Sequence, residues 1–528
     1  MELFRTEFGT IDWVIVIVYL AGSILIGLWA NRYVGGLSDY LVAGRTLRIR
    51  LALATMTGTE LGLVTVMYVA ELGYTKQFAS LYLAVIEVLA LAVIGATGVV
   101  VYRLRQEAVL TVPEYYERRY TRTVRVVGAV MMVLAGVLNM GVFLKAGSLF
   151  LVGVTGLEDP MALKLIMSSL LLLVLFYTVL GGMVSVVITD LIQFVVLGIG
   201  ALVVSVYVLG ELGGIEGLWE LSHRAYVNPL QGDNPLTAVP ADGVGPWMLT
   251  AQWLTLSIAV MLWPATVSRT LAVKTPEVAR RLYLFSTIPF LARRTLPALW
   301  GIGAFAYFSL HADLGRDLQQ AIASNELSTL SAMPLYLAKI IPSGLLGLVT
   351  AAMLAAFMST HDSYLLCWGG VVAQDIVAPL CGGLSDRNRV LVTRISIVVI
   401  GAFLLFWGLW YEIGQELWDY LAITGTVYLS GALPVIVGGL YWRRASSVGA
   451  LAALVCGVMG VCGLSQVIDV INGTFFPDPA GFQVFPALMM LVTMLTPTLV
   501  FISVSLLVPD SRHRSSTDGE SLVREKLS

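Results

Sequence analysis

The sequence predicts an all-α polytopic membrane protein, and three observations carry that prediction. Of 528 residues, 58% are hydrophobic and only 12% are Asp, Glu, Lys or Arg, about half the charge of a soluble domain. The apolar residues fall into 13 runs, at approximately 12–30, 51–71, 78–101, 125–153, 161–181, 186–209, 247–266, 283–309, 344–370, 391–411, 418–440, 446–467 and 483–508. Each run is close to the roughly 20 residues that cross a hydrocarbon core. The basic residues are unevenly shared. With the N-terminus outside, inner loops collect Arg45, Arg48, Arg50, Arg118, Arg119, Arg122, Arg269, Lys274, Arg387 and Arg389, while outer segments hold isolated ones such as Lys76 and Arg316. Cytoplasmic loops carry the excess of Lys and Arg, so the pattern predicts a plasma (inner) membrane protein with its N-terminus outside and its C-terminus cytoplasmic.

Taken in order, span 12–30 follows an acidic N-terminus and runs too long for a signal core, so no cleavable signal is expected. Span 51–71 is unlike a lipid-facing helix, because Thr55-Met56-Thr57-Gly58-Thr59-Glu60-Leu61-Gly62 puts hydroxyls, glycines and an acid at its centre. Gly58 and Gly62 suit close helix packing. Glu60 adds a reason to expect an interrupted helix with carbonyls free to act as ligands. Glu87 and Lys145, in the third and fourth spans, lie at similar depth, which suits an ion pair or a solute contact. Asp190, near the start of span 186–209, suits a helix cap.

Pro264 predicts a second broken helix within span 247–266. Arg293 and Arg294, in span 283–309, either face the interior or snorkel to the cytoplasm. Span 344–370 holds a small, hydroxyl-rich patch, Ala356-Phe357-Met358-Ser359-Thr360, followed by His361 and Asp362. Adjacent hydroxyls beside a free carbonyl suit a hard cation that takes oxygen ligands; equally, they suit hydrogen bonds that glue helices together. Cys367, Cys381, Cys456 and Cys462 have neither zinc spacing nor the pattern of a disulfide framework. Asn472-Gly473-Thr474 is a glycosylation sequon in an outer loop, relevant only in a eukaryotic host. The tail is too short and polar for an effector domain.

Motifs add to this along nearly the whole chain. They are Ser38 to Leu47; Leu110-Thr111-Val112-Pro113-Glu114-Tyr115 with Arg118-Arg119-Tyr120; Tyr177-Thr178-x-x-Gly181-Gly182-Met183 with Thr189-Asp190-x-x-Gln193; Arg269-Thr270-Leu271-Ala272-x-Lys274; Leu346-x-x-x-Ala351-Ala352-x-Leu354-Ala355-Ala356-x-Met358-Ser359-Thr360 closing on Asp375-Ile376; and Pro434-x-x-x-Gly438-Gly439-Leu440-Tyr441-Trp442. Together they resemble the sodium:solute symporter family, which includes sodium/proline, sodium/sugar and sialic acid transporters. The resemblance implies a LeuT-like fold of 13 helices, two inverted five-helix repeats with one extra helix before and two after. Residues 1–48 would hold the first helix and an inner loop, 49–210 the first repeat, 211–246 an outer loop, 247–442 the second repeat, 443–510 the last two helices and 511–528 a cytoplasmic tail. Interrupted helices at equivalent places in two repeats point to a midplane site.

The resemblance also implies the ligands. Sodium would be held by the Ser359 and Thr360 hydroxyls and the carbonyls of Ala356, Leu53 and Met56. Asp190 would join a second ion site or inner gate, although one hydroxyl expected there is Ala356. Thr57, Glu60, Glu87, Trp263, Pro264 and Arg294 are the substrate candidates: Glu87 and the Arg293–Arg294 pair fall where sugar-transporting relatives touch sugar. Trp263 and Leu421 stand where those relatives carry amides. The Pro264 to Arg269 spacing is more similar to the proline and monocarboxylate branch.

The implied function is sodium-coupled import of a small organic solute, preferably an amino acid or organic acid, by alternating access. Sodium is the cofactor; the partners are the solute and the bilayer, with no nucleic acid. Enzymatic activity is not expected, because His361-Asp362 is a lone dipeptide and no nucleophile–base set or metal spacing accompanies it. Two alternatives stay open: proton coupling through Glu60, Asp190 or Asp362, and a membrane solute sensor that does not transport.

Overall fold

The structure, a computed structural model, describes residues 2–30, 32, 36–225, 245–410, 417–478 and 482–510. Residues 226–244 of the expected outer loop and the tail at 511–528 lie outside them. Helix α1 (Thr10–Ala30) leaves Ile11, Val18 and Leu25 exposed, a surface suited to acyl chains rather than water. The second span is broken as its glycines and acid predict: α2 (Ile49–Glu60) ends at Leu61-Gly62 and α3 (Leu63–Lys76) begins. Helix α4 (Tyr82–Thr97) follows. The fourth span also breaks, at Gly141-Val142, into α5 (Arg122–Met140) and α6 (Phe143–Thr155).

Spans 161–181 and 186–209 share one element, α7 (Pro160–Glu211), of 52 residues. Drawn straight it would measure about 78 Å, more than twice a hydrocarbon core of about 30 Å. The backbone departs from the helix at Gly182, with φ 53° and ψ −153°. A Cβ there would come within 2.6 Å of the Tyr40 ring, so the kink requires glycine. The seventh span is α8 (Gly245–Leu262) and α9 (Pro264–Ala272), parted by Trp263 in an extended conformation. Pro264 sits at the first position of α9, where its missing N–H leaves no bond unmade.

Next come α10 (Pro276–Leu310), α11 (Leu345–Val371), α12 (Asp386–Trp410), α13 (Leu417–Tyr441) and α16 (Pro486–Leu507). Before α16, span 446–467 divides into α14 (Ser447–Cys456), a 3-10 stretch and α15 (Ser465–Phe475), bent by 86°. Among the described residues, nine helices are long and apolar enough to cross a membrane, or ten if the bent pair is one span. The number is below 13 because α7 takes in two predicted spans, Leu63–Thr97 forms one apolar stretch, and α10, with four arginines, is not among them.

Helix α11 is the centre of the bundle: 89% of its apolar window is buried, against 33% for α12 and α16, which face lipid. Its first turn is capped from α1, a role the sequence did not suggest. The N–H groups of Gly344 and Gly347 donate to Asp12 at 2.7 and 2.5 Å, and Ser343 Oγ donates at 2.7 Å. The motif loops mate in pairs. Leu47 N–H donates to Ala272 O (3.2 Å) and Lys274 N–H to Leu47 O (3.0 Å). Arg119 donates to the Gly439, Trp442 and Ala445 carbonyls at the end of α13.

Candidate functional site

Two buried polar clusters flank the break in the second span. The first joins α2, α7, α9 and α11. Asp190 accepts from Thr55 and Ser359, each at 2.5 Å, with an Arg269 nitrogen 3.7 Å away. It is thus an internal acceptor of a four-helix contact, and the expected capping role is replaced. Arg269 also donates to Ser363 Oγ, which is 3.0 Å from Thr59 Oγ1. Asp362 accepts from Tyr177 OH (2.9 Å) and Ser363 (3.2 Å). Every one of these side chains is buried. The cluster holds two carboxylates and one guanidinium, a formal excess of one negative charge.

Ser359 and Thr360 turn from α11 toward the broken helix. Thr360 Oγ1 donates to Thr59 O and to Ala356 O, both at 3.1 Å. A Cβ on Gly62 would collide with that same hydroxyl, and one on Gly58 would lie 3.1 Å from Ser359 Oγ. The glycines at 58 and 62 therefore let the hydroxyl patch approach the break. Helix α2 runs to Glu60, so the carbonyls of Leu53 and Met56 lie inside its regular part. The groups next to the break are Thr59 O, which takes Thr360, and Glu60 O, which takes Arg293. The Thr57 hydroxyl is buried and has no partner.

The second cluster lines a cavity of about 120 Å³. Glu87 pairs with both Arg293 and Arg294, the latter at 2.9 Å. Lys145, its partner expected from depth, is not part of this cluster. Arg293 also donates to Glu60 O (2.6 Å) and Glu60 Oε2 (3.2 Å), and Thr266 donates to Glu60 Oε1. Neither arginine snorkels: they are 5% and 3% exposed, inside the protein. Arg294 lies against the rings of Tyr68 and Trp418, each centroid 5.2 Å from its Cζ, a cation–π arrangement.

Trp263 lines the same cavity and donates to Tyr364 OH at 2.7 Å, while Pro264 sits below it beside Leu366 and Cys367. Of the sequence candidates, the cavity brings together Glu60, Glu87, Trp263 and Arg294; Thr57 and Pro264 are not on its wall. Tyr68, Asn139, Thr255, Tyr364 and Trp418 also line it, with no local signal in the sequence to mark them. Among the described residues no group of three or more His, Cys, Asp or Glu could hold a metal ion, so any cation here depends on hydroxyls, carbonyls and single carboxylates.

Two helices broken in mid-membrane, a buried central helix with paired hydroxyls at the break, and an adjoining solute-sized cavity define a class: secondary transporters with discontinuous helices. The family model for the sodium:solute symporter family matches residues 40–457, and the chain belongs to that family, whose members are multi-pass membrane transporters coupled to sodium. The chain is 26% identical over 471 residues to a sodium/glucose cotransporter of Vibrio parahaemolyticus, covering 85% of this chain and 84% of the relative. It is 26% identical over 529 residues to a sodium-dependent multivitamin transporter of Oryctolagus cuniculus, covering 97% and 79%. A sodium/sialic acid symporter of Aliivibrio fischeri is 23% identical, with 88% and 89% covered. Among solved structures, a substrate-bound, outward-open sodium-coupled sialic acid symporter superposes with a TM-score of 0.74 at 18% identity, over 95% of this chain and 99% of that one. That likeness is one of fold.

Proposed function

We propose that this chain imports a small organic solute, an amino acid or organic acid, by sodium-coupled alternating access. The 13-span topology, the inverted repeats at 49–210 and 247–442, and an outside N-terminus belong to the same reading. The observation that carries it is the contact of Ser359 and Thr360 with the break in the second span, where a hard cation finds hydroxyl and carbonyl oxygens from both α11 and α2. Ser359, Thr360 and the carbonyl of Ala356 hold the ion, with Leu53 and Met56 supplying carbonyls once the end of α2 adjusts around it. Asp190 contributes the negative charge beside Ser359, and the same cluster can take a second ion or form the inner gate.

An ion that ties α2 to α11 shifts the outward and inward populations only as far as its affinity differs between them. The available drive is about 2.3 kcal/mol per charge at 100 mV plus about 1.4 kcal/mol for a tenfold sodium gradient, enough for roughly several-hundred-fold accumulation. The test is sodium titration of uptake in proteoliposomes. The Ser359→Ala/Thr360→Ala double variant raises the half-saturating sodium concentration; an unchanged value removes this site. Acid-driven uptake in sodium-free buffer would favour proton coupling, and binding without counterflow would favour a sensor.

A further inference from the structure

Resting on the reading of this cavity as the solute site of a sodium-coupled symporter, we infer that its solute is a monocarboxylate with an apolar body, whose carboxylate is received by Arg294, Trp418 and Thr255. The inference starts from which polar atoms on the cavity wall are left over. Arg294 Nη1, Trp418 Nε1 and Thr255 Oγ1 are all buried, and none has a hydrogen-bond partner. Two of the three can only donate, and a hydroxyl can do so. Buried donors are almost always paired, so three unpaired on one cavity wall call for an acceptor brought in from outside.

The carboxylates of the wall are already engaged. Both oxygens of Glu87 receive the two arginines, and those of Glu60 receive Thr266 and Arg293. An ammonium group therefore meets no carboxylate that lacks a donor already. Formal charge points the same way. Glu60 and Glu87 balance Arg293 and Arg294 around the cavity, so a monocarboxylate entering there brings one negative charge, matched by one co-entering sodium ion, whereas a dicarboxylate brings two. The guanidinium is held in place: Glu87 takes its Nε at 2.9 Å, and the Tyr68 and Trp418 rings lie against it. Its Nη1 is the nitrogen left without a partner, and charge-assisted bonds from such a group are the strong ones.

Val64, Phe143, Leu256, Ala259, Val260 and Phe290 supply an apolar part of the wall. The cavity of about 120 Å³ corresponds to roughly ten water-sized positions, so the body carries on the order of ten non-hydrogen atoms.

The experiment uses the full chain in proteoliposomes and in detergent, with hexanoate, phenylacetate, phenylacetamide, phenylalanine, succinate and glucose as probes. Hexanoate or phenylacetate should raise the melting temperature in sodium and drive counterflow, while phenylacetamide, with the same body and no charge, should do neither. Trp418→Phe keeps the ring and removes the donor, and should raise the half-saturating carboxylate concentration about tenfold while leaving half-saturating sodium unchanged. Arg294→Lys should raise it further, since an ammonium loses the fork.

No effect of either monocarboxylate, or a preference for phenylalanine, succinate or glucose, overturns the inference. A wild-type carboxylate response in Trp418→Phe overturns it as well, even if Arg294→Lys fails to fold. The underlying reading fails separately: a monocarboxylate that binds with the predicted variant pattern but without sodium dependence or counterflow upholds the carboxylate site and removes symport.

Discussion

Replacing Gly62 with alanine tests whether the break in the second span is an ion site or merely a packing contact. Gly62 has φ −75° and ψ 159°, a conformation open to any residue, so alanine adds no backbone strain. Its effect is steric alone. The new Cβ would collide with Thr360 Oγ1 and would sit 3.1 Å from Thr360 Cβ and 3.2 Å from Cγ2. A rotamer change alone cannot clear all three atoms, so α3 and α11 must separate or Thr360 must give up its bonds to Thr59 O and Ala356 O. Overpacking of this kind costs about 1–3 kcal/mol. If that cost falls on the sodium-bound state, half-saturating sodium rises about 5- to 150-fold, at about 1.4 kcal/mol per tenfold. Gly58→Ala supplies the scale: its Cβ meets Ser359 Oγ at 3.1 Å, a contact relieved by a few tenths of an ångström, and its shift should be the smaller. Sodium titration of solute uptake, with a thermal melt in parallel, reads both. A Gly62→Ala protein that melts earlier but keeps wild-type sodium dependence would refute the ion-site reasoning and leave only packing.

Other perturbations follow from particular contacts. Asp12→Ala removes the cap from the first turn of α11, at a cost of about 0.5–2 kcal/mol; the melting temperature should fall, and Asp12→Asn should restore part of it. Glu87→Gln leaves Arg293 and Arg294 with too little negative charge in a buried site, where breaking a pair costs about 3–5 kcal/mol. Its melting temperature should fall by more than that of Asp12→Ala, and Glu87→Gln/Arg294→Gln should melt higher than Glu87→Gln alone. Arg119→Lys cannot fork across the carbonyls at the end of α13, so it should melt earlier with unchanged solute affinity. Asp362→Asn removes the surplus carboxylate beside Asp190 and should raise half-saturating sodium; an unchanged value would show that the surplus charge has no part in coupling.

The sequence disclosed these features in proportion to how local their physics is. Pro264 announces its break because it lacks an N–H and needs no partner to do so. Thr55 to Gly62 announces a break because an acid among glycines and hydroxyls makes a poor lipid-facing helix. The gap between spans 161–181 and 186–209 holds the kink at Gly182, though only the Tyr40 ring reveals why residue 182 must be glycine; the break at Gly141 has no sequence signal, since a single glycine in an apolar run is ordinary. Depth alone makes Lys145 one candidate partner of Glu87, because counting residues gives depth along a helix and not direction around it. Direction placed Glu87 opposite α10 and its two arginines. Trp418, Thr255 and Asn139 look like any polar or aromatic residue in a span until packing shows which wall they form.

The two clusters beside the break differ in formal net charge. Around the cavity the charges cancel. Around Asp190 they do not: Asp190, with Arg269 3.7 Å away, and Asp362, which accepts from Tyr177, formally exceed that one guanidinium by one negative charge. Uncompensated charge is expensive in a low-dielectric interior, so on the proposed reading a cation entering beside Ser359 would offset that formal excess. The groups that share this charge come from α2, α7, α9 and α11, and α2 and α9 are the halves of the two broken helices. On the proposed reading, a movement of either half that carried Thr55 or Arg269 away from Asp190 would alter the affinity of the cluster for a cation, which is the condition for an ion to move the equilibrium at all.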